Sequence, residues 1–191
     1  MRIVTAPEAK VPAGLRRQVA ALQEQAWPSV GGAPAAPGPV HDPALRPLSM
    51  LLLDAGDRVL ASLDVLSKEI VHRGRTYAAA GLSAVVTDRA QRGLGHGRRL
   101  VEAAREAVRE SGADLGIFTC DRELQGFYER AGWPLLPGAV LVGGTAEEPL
   151  PSDRFDKVTL AGFFSARARR HRRDFEHSRI ALHPGLIDRL W

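Results

Sequence analysis

The most restrictive feature of this sequence is the glycine-alternating run at residues 92–97, which joins an apolar, strand-like stretch to an amphipathic stretch. A strand that turns into a helix through glycines leaves several backbone N–H groups without partners at the positive end of the helix dipole. Phosphate oxygens satisfy such donors, and glycines lack the Cβ atoms that would block their approach. The run therefore predicts a strand–turn–helix unit that binds a phosphorylated ligand, with the charge of Arg92 at its edge.

Two other phosphate-binding motifs fit this run poorly. A Walker loop ends in Gly-Lys-Ser/Thr, whereas Gly97 is followed by Arg98 and Arg99. A dinucleotide fingerprint has the spacing G-x-G-x-x-G and an acidic residue in a following strand about 20 residues on. The glycines here alternate instead, and no acid stands at that place in a following strand.

The run resembles motif A of the GCN5-related N-acetyltransferases (GNAT), Q/R-x-x-G-x-G/A, which Arg92, Gly95 and Gly97 fill. Residues 124–133 are similar to motif B of the same superfamily, F-Y-x-x-x-G-W/F, and follow in the same order. The resemblance covers roughly residues 49–142. It implies an α/β (α+β) GNAT fold, in which a mixed central sheet has an antiparallel N-terminal meander, splayed central strands and flanking helices.

Hydrophobic periodicity and turn residues predict the individual elements. We expect helices over 12–26, 97–110 and 121–131, and strands over 49–54, 58–66, 68–72, 76–87, 115–120, 140–143 and 157–160. We expect residues 28–47 to form a long Pro/Gly loop, which in the family corresponds to the segment that covers the acceptor site. The length predicts one domain over residues 1–191, with the last strands and the tail in 144–191.

The resemblance implies acetyl-coenzyme A (acetyl-CoA) as cofactor, and no metal. Its pyrophosphate would lie on motif A, and its pantetheine arm would pair with the preceding strand like an added strand. The implied cofactor-binding residues are Val85, Val86, Thr87, Arg92, Gly93, Leu94, Gly95, His96, Gly97 and Phe127.

Direct attack of an amine on a thioester needs a base for the amine and an acid for the departing thiolate. Tyr128, in motif B, is the candidate acid, because a phenol stays protonated at neutral pH. Many relatives carry a carboxylate on the fourth strand, where this chain has none at residues 80–83. The base stays open among His41 and Asp42 of the loop, a water chain held by Ser83, and the C-terminal end.

Within the family, the layout is most similar to the aminoglycoside 2′-N-acetyltransferases. Their acidic residue near the end and their terminal carboxylate would correspond to Asp188 and Trp191, which with Asp42 and Ser83 make the expected acceptor-binding set. The first hypothesis is therefore an N-acetyltransferase of small primary amines that works through a ternary complex, with the aminoglycoside enzyme as its specific case. A noncatalytic acyl-CoA-binding domain and a nucleic-acid-binding protein are the alternatives.

Composition favours the enzyme hypotheses. The single cysteine, Cys120, and the lack of an apolar run of about 20 residues predict a cytoplasmic protein without a membrane partner. The formal net charge is +4, but five of the 26 basic residues are arginines within 167–173. The charges of the remaining 21 basic residues are balanced by 22 acidic residues. Such a run is more often a solvated helix face than a nucleic-acid patch. We therefore expect no nucleic-acid partner, whereas a homodimer is compatible with the sequence.

Overall fold

A computed structural model describes residues 1–28 and 38–182 of the chain. In chain order its elements are β1 (Arg2–Pro7), α1 (Ala13–Ala26), β2 (Leu48–Leu53), β3 (Val59–His72), β4 (Arg75–Thr87), α2 (His96–Glu110), β5 (Leu115–Asp121), α3 (Gln125–Arg130), β6 (Val140–Gly144), β7 (Pro149–Pro151), β8 (Lys157–Phe163), α4 (Ala166–Arg170), α5 (Arg172–Phe175) and β9 (Arg179–Ala181). Short 3-10 turns include Glu8–Lys10, Pro43–Leu45 and Arg89–Gln91. Within these described ranges, no helix has the length and apolar character needed to cross a membrane.

A mixed six-stranded sheet forms the centre of the fold, in the strand order β1-β2-β3-β4-β5-β8. Strands β1 to β4 form an antiparallel meander, β5 runs parallel to β4, and β8 returns antiparallel to β5. A smaller sheet has the order β7-β6-β9. The predicted mixed sheet with its antiparallel N-terminal meander and flanking helices is therefore confirmed.

The two faces of the large sheet are covered by different elements. On the α2 face, Leu100, Ala104 and Val108 of α2 lie in one core cluster with α3 and with inward residues of β2 to β5. On the opposite α1 face, Leu22 packs against Leu51 and other residues of β2 to β4. Beyond α1 on that face, the smaller sheet and α4–α5 form a third cluster over β3, β4, β5 and β8. Side chains of the central strands therefore lie either on the α2 face or on the opposite face, which α1, the smaller sheet and α4–α5 cover.

Several element boundaries differ from the sequence prediction. The strands predicted at 58–66 and 68–72 are one strand, β3, because Ser67 and Lys68 stay paired with Ala80 and Ala79 of β4. The helix predicted at 121–131 is a 3-10 turn followed by the shorter α3, and the loop predicted between the last two strands contains β7. The prediction also missed β1 and β9, which are short strands at the edges of their sheets.

The basic run at 167–173 lies on α4 and α5, where several of its arginines have partners. Arg167 pairs with the carboxylate of Asp114 at 2.5 Å, and Arg169 donates a hydrogen bond to a backbone carbonyl at 2.5 Å. Arg172 pairs with Glu176 at 3.6 Å. These contacts agree with a solvated helix face, and the expected absence of a nucleic-acid partner stays a prediction.

Candidate active site

The central strands β4 and β5 separate after two paired positions. The pairs are Ala79 with Leu115 and Ala80 with Gly116. From residue 81 to the end of β4, no β5 residue is paired with the strand. This edge of β4 therefore offers backbone donors and acceptors to an extended ligand, and the predicted splay of the central strands is confirmed.

A β-bulge bends β4 within this unpaired stretch. The register between β3 and β4 shifts, since Ser62 lies opposite Val86 but Asp64 lies opposite Ser83, so that β4 carries one extra residue. Ala84 has a φ of +48°, which is uncommon for a residue with a side chain. After the bulge, Val85 packs toward the α2 face and Val86 is buried on the α1 face. Without the extra residue, Val85 would share the face of Ser83.

The glycine run forms an open turn between β4 and α2. Gly93 and Gly95 have φ values of +80° and +81°, and Gly95 is the N-cap of α2. A Cβ at either glycine would meet no heavy atom of the protein within 4 Å. The space in front of the turn is therefore open to a ligand, and the N–H groups of the first turn of α2 have no intrahelical acceptors. Arg92 and Leu94 are exposed at the edge of this space.

The two ends of the turn are held in place by specific contacts. Before it, the carboxylate of Asp88 pairs with Arg58 and accepts a hydrogen bond from the N–H of Ala90 at 3.1 Å. After it, a Cβ at Gly97 would lie 2.7 Å from Oγ1 of Thr87 and 3.4 Å from the ring of Phe127. Gly97 is therefore required for close packing of α2 against β4 and α3, a different role from that of Gly93 and Gly95. His96 is buried beside it.

Motif B fills the space beneath the splayed strands on the α2 face. Trp133 is fully buried, and a Cβ at Gly116 would lie 2.5 Å from its ring, so this glycine allows the indole to pack where β4 and β5 separate. Tyr128 contacts Phe118 edge-to-face, with ring centroids 5.2 Å apart. Burial raises the pKa of Tyr128 above its ordinary value of 10, with smaller contributions from Cys120 and Asp121. The phenol therefore stays protonated, as a general acid requires.

Cys120 lies near Tyr128 and is not an activated thiol. Burial, with a smaller contribution from the neighbouring Asp121 carboxylate, raises the pKa of Cys120 to about 11. A thiolate nucleophile needs the opposite shift. The buried side chain of Cys120 therefore has a packing role.

A buried polar cluster lies on the α1 face beside the bulge. His41 Nδ1 is 3.3 Å from Oε1 of Glu8, and His41 Nε2 is 3.0 Å from Oγ of Ser83. Glu8 also accepts hydrogen bonds from the backbone N–H groups of Val40, at 2.8 Å, and His41, at 3.4 Å. The Glu8 carboxylate thus fixes both the backbone and the ring of His41, so that this ring connects a carboxylate to a serine hydroxyl.

Asp64 adds a second carboxylate to this buried cluster. Its Oδ1 accepts a hydrogen bond from Ser49 at 2.5 Å, and its Oδ2 is 3.9 Å from Nδ1 of His41. The pKa of Asp64 is raised to about 6, mainly by burial; the Ser49 hydrogen bond and His41 lower it, and Glu8 adds a smaller increase, all within that value. Because Asp64 lies opposite Ser83 in the register, β3 supplies the carboxylate that β4 lacks.

A cavity of about 850 Å³ opens beside this cluster, between α1 and the sheet. Residues of the sheet and of the Glu8–Lys10 turn form its buried end, whereas α1 and the residues that flank the undescribed segment 29–37 form its outer wall. The charged side chains that line the cavity are Glu8, Arg16, Arg17, Glu24 and Asp64. The cavity reaches the bulge at Ala84, where the two faces of the splay meet.

The structure brings some of the sequence-predicted residues together and separates others. His41 and Ser83, 42 residues apart, are hydrogen-bonded. Asp42 is exposed, and its carboxylate accepts a hydrogen bond from Ala44 at the start of the Pro43–Leu45 turn, away from the cluster. Asp188 and Trp191 lie outside the described residues. Sequence reasoning did not single out Glu8, Ser49 or Asp64, although an acid inside the apolar stretch of β3 was a visible signal.

Glu8, His41 and Asp64 are also the residues that could hold a metal ion, since one ligand atom of each lies within 4.8 Å of the others. In the described part of the chain, these atoms contact one another, Ser49 and backbone N–H groups. The expectation that the protein uses no metal stays a prediction.

Comparisons with solved structures identify the fold. An Escherichia coli GNAT family N-acetyltransferase (YhbS) in complex with CoA is 17% identical, with a TM-score of 0.60 over 96% of this chain and 91% of that chain. An aminoglycoside 6′-N-acetyltransferase complexed with coenzyme A is 13% identical, with a TM-score of 0.58 over 85% of this chain and 97% of that chain. An acyl-CoA N-acyltransferase from Pseudomonas aeruginosa is 19% identical, with a TM-score of 0.57 over 84% and 97% of the two chains.

A sequence comparison with curated proteins finds no match. The acetyltransferase (GNAT) domain family, however, matches residues 11–136, which include α1, strands β2 to β4 of the meander, the glycine turn and motif B. This match covers well over half of the chain. The chain therefore belongs to the GNAT family of acetyltransferases and is an acyl-CoA-dependent N-acyltransferase.

Proposed function

We propose that the protein transfers the acetyl group of acetyl-CoA to the primary amine of a small molecule by direct attack in a ternary complex. One observation carries the proposal. The splay and bulge of β4 lie between a buried phenol on the α2 face, Tyr128, and a buried Glu8–His41–Ser83 cluster on the α1 face. This arrangement suits a reaction in which one group accepts a proton from the amine and another, on the other side of the thioester, donates a proton to the thiolate.

The residues around the turn fit the cofactor. The open space in front of Gly93 and Gly95 suits a pyrophosphate, with the first N–H groups of α2 and the Arg92 guanidinium as donors. The unpaired edge of β4 from Val85 to Thr87 suits the amide groups of the pantetheine arm. Two structural neighbours are complexed with CoA, which supports this placement. The bound cofactor supplies the acetyl thioester.

The proposed base is His41, acting through Ser83. With Nδ1 protonated and donating to Glu8, Nε2 is the acceptor for the Ser83 hydroxyl. Ser83 Oγ can then take a proton from the incoming amine while its own proton passes to Nε2. Glu8 stabilises the imidazolium that results, and the burial of both side chains excludes competing water.

The proposed acid is Tyr128, whose phenolic proton passes to the departing thiolate. The Tyr128 side chain is buried against Phe118 and Phe127, so that its ring is held in one orientation. Phe127 in turn contacts the start of α2, which ties the position of the acid to the phosphate-binding turn.

The finer proposal, an aminoglycoside 2′-N-acetyltransferase, depends on an acidic tail at Asp188 and Trp191. These residues lie outside the described ranges. The described residues support a primary-amine acceptor. A cytoplasmic location, a homodimer and the single-domain assignment likewise stay predictions.

Tyr128→Phe tests the proposal, and Tyr77→Phe is its matched control, because the chain has only these two tyrosines and Tyr77 is buried in a different cluster. Release of CoA from acetyl-CoA is measured with a panel of primary amines, and CoA binding is measured by calorimetry. We expect Tyr128→Phe to lower kcat by about 100-fold or more with little change in the Kd for CoA, and Tyr77→Phe to keep both.

Full activity of Tyr128→Phe would overturn the role of this acid. Binding of CoA without CoA release for any primary amine would favour the noncatalytic acyl-CoA-binding domain instead.

A further inference from the structure

The cavity beside the cluster has an uneven distribution of polar groups. At its buried end lie Ser49, Ser62 and Asp64, which are 6%, 2% and 5% exposed. On its outer side lie Arg17 and Trp27, which are exposed. An amine that enters the cavity therefore passes the Arg17 guanidinium before it reaches an acidic end.

Two atoms at the buried end have unused hydrogen-bonding capacity. Ser62 Oγ has no partner among the described residues, although a buried hydroxyl without a partner is costly. Asp64 uses Oδ1 to accept from Ser49, whereas its Oδ2 is 3.9 Å from His41 Nδ1, beyond hydrogen-bond distance. A carboxylate oxygen and a hydroxyl oxygen can together accept hydrogen bonds from one ammonium group.

The walls between the buried end and the rim are mostly apolar. Val11, Val19 and Leu51 line them, with Val40 opposite and the indole of Trp27 at the rim. Such walls favour a hydrocarbon or aromatic body and offer few partners for a ring of hydroxyl groups.

The positive charges on α1 oppose a second cation. Arg16 Nη2 donates to the backbone carbonyls of Glu8, Ala9 and Val11 at 3.1 to 3.3 Å, which fixes its guanidinium in the cavity wall. Arg17 follows it and also lines the cavity, as does Glu24 farther along α1, so that α1 contributes two positive charges and one negative charge to the wall. Glu24 has an interaction of its own. A diamine whose first ammonium lies at Asp64 would bring its second ammonium toward these two charges.

We propose that the acceptor is a monoamine with an apolar body, whose ammonium binds between Asp64 Oδ2 and Ser62 Oγ and whose body lies along Val19, Leu51 and Trp27. Arg16 and Arg17 select against a second cationic group. This inference rests on the proposed function and narrows its acceptor from primary amines in general.

Hexylamine and 1,6-diaminohexane test the inference, since they share a chain length and differ in the second ammonium. We expect kcat/KM for hexylamine to exceed that for the diamine by about tenfold or more, and to exceed that for the polycation kanamycin by a larger factor. Arg17→Glu should lower the monoamine preference at least threefold. Arg170→Glu makes the same charge change on α4, outside the cavity, and should keep the preference.

A second pair of measurements addresses the buried end. Ser62→Ala should raise the KM for hexylamine several-fold, with the KM for acetyl-CoA unchanged and the Tm equal or higher, because the variant removes a buried hydroxyl without a partner. A loss of packing alone would instead lower the Tm and leave the amine KM unchanged.

The outcomes separate this inference from the proposed function. Release of CoA with equal or better use of the diamine, or with an unchanged hexylamine KM in Ser62→Ala, would overturn the acceptor class and leave the acetyltransferase activity intact. Absence of CoA release with every amine tested would overturn both.

Discussion

Replacement of Asp64 by asparagine should stabilise the folded protein at neutral pH. The side chain lies in the buried cluster, and the asparagine keeps its shape and can still accept the Ser49 hydrogen bond through its amide oxygen. What the variant removes is the cost of holding a negative charge away from water beside Glu8, which exceeds the gain from Ser49 and His41.

The magnitude follows from the pKa of Asp64, which burial raises from 3.8 to about 6. At about 1.4 kcal/mol per pKa unit, this difference corresponds to about 3 kcal/mol. The folded state holds the proton more tightly than the unfolded state, so the contribution to stability is full below about pH 3.8 and is lost as the pH rises to about 6. Wild type and Asp64→Asn should therefore differ by less than about 1 kcal/mol near pH 4 and by about 3 kcal/mol at pH 8.

Urea unfolding at several pH values from 4 to 8 measures this difference in the free energy of unfolding. The Tm of Asp64→Asn at pH 8 should lie roughly 6–12 °C above that of the wild type. Asp57→Asn is the control, because Asp57 is exposed and pairs with Arg2 at the surface, where an ion pair contributes little. A pH-independent difference, or an asparagine variant that is less stable at pH 8, would refute the account of Asp64 as a desolvated carboxylate.

Two further predictions concern ligands. Gly95→Ala should weaken CoA binding by about tenfold or more, because its Cβ would enter the space proposed for the pyrophosphate. Gly112→Ala is the control, since Gly112 lies at the other end of α2 with φ +80° and equally open space. Both variants should lose about 1–2 kcal/mol of stability, but Gly112→Ala should keep the Kd for CoA measured by calorimetry. Equal loss of affinity in the two variants would count against the phosphate role of the turn. Treatment with a chelator should leave turnover unchanged, because the candidate metal ligands contact one another and their neighbours; activity lost to the chelator and restored by a divalent ion would show the opposite.

The sequence was most informative where a local conformation requires a particular residue. Glycines at positive φ mark turns that few other residues tolerate, and Gly93, Gly95, Gly112 and Gly132 all have φ values between +80° and +86°. The start and end of α2 and the turn after α3 were predictable for this reason. The continuity of β3 was not, because a strand of 14 residues depends on its pairing with β4 along its whole length.

The site was only partly predictable, because its residues come from distant segments. Glu8 lies in a short turn after an edge strand, and it reaches His41 only because the chain returns to that edge 33 residues later. Asp64 reaches the cluster through the β3–β4 register, which no local pattern encodes. Yet Asp64 stands among Leu63, Val65 and Leu66 in a buried strand, and a charge at such a position is costly. An acid within an apolar strand is therefore a signal that sequence reasoning can use.

The bulge in β4 explains how one strand can serve both halves of the proposed reaction. In a regular strand, alternate side chains point to opposite faces, and a fully paired β5 would close the path between these faces. Here the splay opens that path from residue 81 onward, while the extra residue at Ala84 places Ser83 with the His41 cluster and Val85 toward the face of Tyr128. A deletion that restored a regular register would move every following side chain of β4 to the other face. Tyr128 and the His41 cluster would then no longer lie on the two sides of the same part of β4, although each would keep its own contacts.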